Sequence, residues 1–421
     1  MAGRYHVWKM WKRLPRRRWW VRPVNRPRVA HGFYNNLFTE LMTTDHEEFF
    51  DLFRMSPEQF NLLVNFVHPF LEKHSIRTPL PTKLRLAVTL MFFSQGITAK
   101  LQHAEYRIGR STVFQIIHET SRAIWEALQP TVLKFPDKEE WKKIADGFQQ
   151  KWQFPNCISA MDGKHMRIKA PPNSGSNWYN YKGFFSMVLL ATCDANYKFT
   201  WIDIGQYGSI SDGGVWSNPD LAADLEANRM NLPDPTPLQG MNVPFPYFFV
   251  GDEAFPLTKY MMRPYPKREL TDEKRIFNYR LSRARRTIEN SFGILAARWL
   301  LLQKPLSMSP DNLEAVFKAL VCLHNFLMMS EEMKNAADRM YAPADFVDVE
   351  RPDGTVTEGR WREVISPYFQ DLGRAGGNRS NHIAVGMRDY LQAYINSELG
   401  YDQCQWQARR ALRGHDLNME Q

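Results

Sequence analysis

Cysteine is scarce: the 421 residues hold four, Cys157, Cys193, Cys322 and Cys404, far apart and with no Cys-x-x-Cys spacing. That excludes a disulfide scaffold and a structural zinc site of the usual pattern, and leaves buried free thiols in a reducing compartment as the expectation. Long apolar runs are lacking too. A membrane span needs about 18 to 20 such residues, and the best stretch, Ala315 to Met329, is broken by Lys318, His324 and Asn325. The start of the chain carries no apolar signal core, so a soluble intracellular protein with no membrane partner is expected. Acids are missing from the beginning, where none precedes Glu40.

What is present is basic charge and a large apolar fraction. A hydrophobic share of 44% with 13% aromatics belongs to a globular chain, long enough for one sizeable core and a smaller second unit. The net charge of +9 and a pI near 9.2 favour a polyanion as partner. Arg16, Arg17 and Arg18 follow Lys12-Arg13 in a run of the nuclear-localisation kind, and Trp8, Trp11, Trp19 and Trp20 beside it are suited to stacking on bases.

Hydrophobic periodicity divides the chain into a basic arm (1–32), a helical region (33–135), a mixed segment (136–330) and a polar tail with a short helix (331–421). In the helical region Ser56-Pro57-Glu58-Gln59 reads as a capping box. Lys83 to Phe93, Thr98 to Tyr106 and Thr112 to Leu128 read as helices, the last with Ser111 as its cap. Their spacing fits a helix-turn-helix that would present Arg110, Thr112 and Gln115 to DNA, and a plain helical bundle fits it as well. From Cys157 short strands rich in Ile, Val and aromatics begin, and the pattern Lys274 to Leu302 is helical again. This is an α/β arrangement, a mixed sheet flanked by helices and preceded by an all-α region. Asn231 to Pro246 carries five prolines and reads as a surface loop.

Four acids stand out in this setting. Asp162 and Asp252 follow apolar strand-like runs in Ala160-Met161-Asp162-Gly163 and Val250-Gly251-Asp252-Glu253, and Asp212 follows another such run. Glu289 lies one step from Ile288 on the core stripe of a helix, where it is either half-buried beside the sheet or paired with Arg285 or Arg286 on its own face. If strand-terminal acids converge with an acid of the next helix, their mutual repulsion calls for a cation, and oxygen-only ligands suit Mg²⁺ or Mn²⁺ over zinc. A pair of such ions would drive phosphodiester chemistry. Arg283, Arg285 and Arg286 are placed to track a phosphate backbone or to form a solvated face. His165 reads as a structural histidine next to a strand end or as a group approaching the scissile phosphate, and His324 as a core or capping group.

Met161-Asp162-Gly163-Lys164-His165, the run Tyr207 to Asp212, the run Val250 to Pro256, the run Phe277 to Gly293 and Leu323-His324-Asn325 together resemble the DDE endonuclease domain of PIF/Harbinger transposases. The resemblance implies a ribonuclease-H-like fold in which Asp162 ends the first strand, Asp252 ends the fourth, Glu289 lies on the following helix and Asp212 is an accessory metal ligand. It further implies Mg²⁺ as cofactor, with Mn²⁺ as substitute and two ions bound, and cut-and-paste transposition on DNA. A Myb/SANT-like partner protein, a homo-oligomeric assembly and a nuclear location go with it. The rival expectation is a domesticated, non-catalytic DNA-binding or adaptor protein. A small-molecule phosphohydrolase is a second rival, against which the basic arm weighs.

Overall fold

Ser56-Pro57-Glu58-Gln59 starts a helix as its residue types require. The Ser56 hydroxyl accepts from the Gln59 backbone N–H at 3.3 Å and the Gln59 side chain accepts from the Ser56 N–H at 2.8 Å, which closes the capping box and opens α1 (Pro57–Leu71). The computed structural model describes residues 19–74, 78–210, 224, 225, 227, 229–364, 368–372 and 381–413. Arg16, Arg17, Arg18 and Asp212 lie outside the described residues, as does most of the helical pattern expected from Asn218 to Arg229.

Next come α2 (Thr82–Gln95), which ends at a left-handed Gly96, α3 (Ala99–Glu105), capped by the Thr98 hydroxyl, and α4 (Arg110–Val132). The expected cap at Ser111 is corrected: α4 begins two residues earlier than expected, at Arg110 behind Gly109, with no side-chain cap. Arg107 turns the chain between α3 and α4 at φ 52°. Its guanidinium donates to the carbonyls of His31 at 3.1 Å and Val24 at 2.9 Å, so the segment following Trp19 is tied to that turn. The buried stripe of α4, including Val113, Ile116, Ile117 and Ile124, joins the same apolar core as the helix Pro310–Ser330.

The sheet is built on β1 (Cys157–Arg167), with β2 (Ser186–Cys193) and β3 (Phe199–Tyr207) as successive antiparallel neighbours. On the other edge β4 (Phe248–Val250) runs parallel to β1, and β5 (Met261–Met262) parallel to β4. The order is β3-β2-β1-β4-β5, with β6 (Phe369–Asp371) antiparallel to the second half of β1. A strand thus comes from the stretch read as a polar tail. Helix α5 (Lys138–Trp152) covers one face through a cluster of Trp141, Ile158, Met161 and Phe249. The other face meets α6 (Asp272–Arg298) and α7 (Pro310–Ser330). Helix α7 is long and apolar enough on composition to cross a bilayer, and here it is core, with Val316, Leu320 and Leu323 fully buried.

The proline-rich stretch is less of a loop than expected: Thr236–Pro237 pairs with Pro244–Phe245, and Phe245 is buried. Leu323-His324-Asn325 fastens α7 to its surroundings. Asn325 accepts from Phe199 N–H at 2.8 Å and donates to the carbonyls of Phe199 and Val132. The His324 ring lies 2.9 Å from the Tyr197 carbonyl and 3.1 Å from the Tyr341 hydroxyl. Burial pushes the His324 imidazole down from 6.5 to about 4. The unfolded chain therefore binds the extra proton between those values, and stability is present above pH 6.5 and falls as pH drops toward 4, by up to about 3 kcal/mol from this group. In denaturant titrations His324→Gln is expected to show a shallower loss over that window; an unchanged pH profile would refute the assignment.

Candidate active site

The apolar run ending at Met161 forms a strand, but that strand does not stop at Asp162. The antiparallel ladder with β2 continues without a break from Ala160 opposite Cys193 to Arg167 opposite Ser186. Asp162-Gly163 is therefore mid-strand, and the expectation that Asp162 ends the first strand is corrected. Gly163 is a strand residue whose missing Cβ leaves room for the Leu372 side chain. What ends near Asp162 is its neighbour. The β4 pairing stops at Ala160 opposite Val250, and β6 begins at Lys164 opposite Asp371, so Asp162 stands in the gap between two strands sharing one edge of β1.

Register then brings two acids together. Ala160 and Val250 are partners in neighbouring strands about 4.8 Å apart, and both belong to the core on the α6 side of the sheet. Asp162 and Asp252 each follow by two residues, the strand period. Burial raises the Asp252 carboxyl above its ordinary value, and the Asp162 charge raises it further. Asp252 also accepts from the Ala254 N–H at 2.9 Å, which holds the turn that follows β4.

Helix α6 supplies the third acid. Its buried stripe of Phe277, Leu281, Ala284, Ile288 and Phe292 lies against the sheet, and Glu289 is half-buried at the rim of that stripe. The Glu289 carboxylate pairs with Arg285 at 2.5 Å, one turn back. Both of the expected alternatives hold together: Glu289 is at the edge of the sheet and also ion-paired along its helix. Arg285 is no bystander. Burial alone would lower its guanidinium, but Glu289, Asp162, Asp252 and Asp371 outweigh that and raise it. Lys164 plays a similar part, 3.3 Å from Asp162 and ion-paired to Asp371, with Asp162, Asp371 and Glu289 overcoming its burial to raise its ammonium.

Lys164 and Asp371 were not singled out from the sequence. Lys164 had a signal, since in an unbroken β1 it shares a side with Asp162 at the strand period. Asp371 had none, because a three-residue strand in a polar stretch has no periodicity to detect.

The other expected site residues separate cleanly. Arg110 and Gln115 are exposed on α4 and Thr112 is half-buried; Gln115 donates to Glu119 at 2.8 Å. Arg286 is half-buried, where its charge acts on Tyr197 and Asp348. Arg283 cannot track a backbone as placed, which corrects that expectation. It is 2% exposed and donates to Glu350 at 2.6 Å, the Gln153 side chain at 2.8 Å and the Trp152 carbonyl at 3.2 Å. His165 is fully buried with a ring nitrogen 3.0 Å from the Ser186 hydroxyl, and burial, reinforced by Lys182, pushes it down to about 4. All four cysteines are free and buried.

Among the described residues no group of three His, Cys, Asp or Glu side chains is gathered so as to hold one metal ion. The donor chemistry nonetheless fits a hard divalent cation: two neighbouring carboxylates, one of them raised by the other, and a third on α6 that an arginine neutralises.

A family profile described as DDE superfamily endonuclease matches residues 161–325, from the residue before Asp162 to the last of Leu323-His324-Asn325. Curated relatives extend the similarity. Protein ALP1-like of Arabidopsis thaliana is 26% identical over 301 residues, 69% of this chain and 73% of that protein. HARBI1 of Homo sapiens, whose name designates it a nuclease, is 23% identical over 280 residues, 63% and 76%. The profile match and these relatives are consistent with the Harbinger-derived DDE family. A second Arabidopsis thaliana relative of the family, named antagonist of like heterochromatin protein 1, is 24% identical over 258 residues, 59% of this chain and 63% of that protein. No solved structure matches. Divalent metals such as Mg²⁺ are the general cofactor of DDE endonucleases, and the mixed sheet flanked by helices is consistent with their ribonuclease-H-like fold.

Proposed function

We propose that the protein is a metal-dependent DNA endonuclease of the transposase type, which nicks the ends of an element and joins the freed 3′ end to target DNA. Asp162, Asp252 and Glu289 are its principal metal ligands and Asp212 an accessory one. The observation that carries this reading is the register of β1 and β4, which sets Asp162 beside Asp252 on the side of the sheet where α6 carries Glu289. Mg²⁺ or Mn²⁺, two ions in this reading, would supply Lewis-acid polarisation of the phosphodiester and a nucleophile at neutral pH. Lys164 and Arg285 balance the carboxylates in this structure, and a bound metal would relieve Arg285 of that task.

DNA would be held by basic groups spread over the chain. Arg110 and Gln115 at the start of α4, with Thr112, form the face of a helix-turn-helix made by α3 and α4; Arg286 and the arm with Arg16, Arg17 and Arg18 add phosphate contacts. The same arm would direct the protein to the nucleus. A Myb/SANT-like partner and a homo-oligomer complete the assembly in this proposal.

A second reading has its own support. The Arg285–Glu289 pair and the lack of a three-acid group among the described residues fit a domesticated, non-catalytic DNA-binding or adaptor protein. Supercoiled DNA carrying element ends, incubated with the protein and Mg²⁺ or Mn²⁺ with and without the partner, separates the two. Nicking that chelator abolishes supports the endonuclease. No nicking under any of these conditions supports the adaptor.

A further inference from the structure

Lys164 is shared between two acids in unlike settings. It follows Asp162 by two residues along β1, so both side chains leave the sheet on one side. Asp371 of β6 is the cross-strand partner of Lys164, and a directly opposed pair shares a side as well. Two ring contacts identify that side as the one covered by α6. The Lys164 ammonium lies over the Phe292 ring at 5.4 Å, and Phe369, two residues before Asp371, meets the same ring at 5.6 Å. The ammonium is thus backed by Phe292 and flanked by Asp162 at 3.3 Å and by Asp371, the closer of the two.

The backbone around Asp371 is pinned to β1. Arg167 N–H donates to the Tyr368 carbonyl at 2.9 Å and Leu372 N–H to the Gly163 carbonyl at 3.2 Å, one bond on either side of Asp371. The Leu372 side chain fills the room that Gly163 leaves, where a Cβ would overlap it. Lys182 adds a bond to the Asp371 carbonyl at 2.6 Å. These contacts keep Asp371 opposite Lys164. The Asp371 side chain is 71% exposed and that of Asp162 only 9%, so water screens the first carboxylate and hardly the second. A poorly screened carboxylate attracts a cation more strongly. Without a competitor, Lys164 would close on Asp162.

Building on the metal-ligand reading of Asp162, we propose that Asp371 is a positioning residue, which draws the Lys164 ammonium aside and so leaves the Asp162 carboxylate open to a divalent cation. An ammonium and a metal ion compete for the same oxygens. Asp371 acts through Lys164 and is not itself a ligand, in the manner of the outer partners that set metal affinity by orienting what surrounds the ion. It lies beyond residues 161–325, the segment that the endonuclease profile matches, so the site takes part of its electrostatics from the C-terminal stretch of the chain.

Calorimetric titration of the full chain with Mn²⁺, with thermal melting as the control for folding, tests it. Asp371→Asn is expected to weaken Mn²⁺ binding roughly 10- to 100-fold and to keep the wild-type number of ions, folded because Lys164 retains Asp162 as its partner. Adding Lys164→Gln to that variant is expected to restore the wild-type affinity, since no ammonium is left to compete. A merely structural ion pair would give the reverse, with affinity no better once both halves are gone. If Asp371→Asn does not fold, Lys164→Gln alone is expected to bind Mn²⁺ at least as tightly as the wild type, and weaker binding by it counts against the proposal. Unchanged affinity in Asp371→Asn, the loss of a whole ion from it, or a double variant that stays weak overturns the proposal. A wild type that binds Mn²⁺ no better than Asp371→Asn loses this inference alone, whereas a wild type that binds no Mn²⁺ loses the metal-centre reading too.

Discussion

Asp162→Asn and Asp252→Asn are each expected to lower the DNA nicking rate by about 10³-fold or more while DNA affinity changes little. Asparagine keeps the size of the side chain and removes the charge that would hold a cation. Lewis-acid stabilisation of a phosphoryl transition state is worth several kcal/mol, and each 1.36 kcal/mol is tenfold in rate, which sets the scale at about 10³. Folding should not suffer. The Asp252 carboxyl is raised partly by Asp162, so removing either charge relieves a repulsion between buried neighbours. Lys164 keeps Asp371 as a partner when Asp162 is neutralised. Variants that melt normally, bind DNA and nick at the wild-type rate would refute the ligand assignment.

Arg283→Ala is expected to cost about 3 to 5 kcal/mol of folding stability, the usual penalty for breaking a buried ion pair by removing one partner. Glu350 is the reason. It accepts from Arg283 at 2.6 Å and from the Tyr279 hydroxyl at 2.8 Å, and its side chain is 8% exposed, so without the guanidinium it becomes a buried charge with too little compensation. The double variant Arg283→Ala with Glu350→Gln should recover part of the loss, because the stranded charge is gone. Chemical denaturation measures both. A backbone-tracking arginine would behave differently, leaving stability unchanged and reducing the salt dependence of DNA binding; that outcome would reinstate the phosphate role that the structure denies.

The contrast between Arg283 and Glu289 shows where sequence reasoning carries and where it stops. Periodicity on α6 placed Ile288 and Phe292 in the core, and so put Glu289 at its rim, correctly. The same periodicity could not say that Arg283, among the most buried side chains of α6, meets Glu350 from 67 residues downstream. The partner is supplied by tertiary structure alone. Asp162 shows a related limit. An Asp-Gly pair after an apolar run has the chemistry of a turn, and only the unbroken ladder with β2 overrides it. Its parallel neighbour on that edge ends two residues earlier, so Asp162 stands where one strand of the sheet stops. Asp371 was out of reach altogether, carried by three residues whose place in the sheet depends on pairing with β1.

The capping box at Ser56 and the buried face of α4 were legible because they depend on neighbours within one helix. The cap expected at Ser111 failed by two residues. There the Arg107 turn, tied to His31 and Val24, decides where α4 begins.

Mn²⁺ binding to the full chain, followed by electron paramagnetic resonance, addresses most directly whether the acids around β1 and α6 form a metal centre. The wild type is expected to bind two ions, and Asp162→Asn, Asp252→Asn and Glu289→Gln each to lose at least one of them. Identical Mn²⁺ binding by the wild type and all three variants would contradict the account.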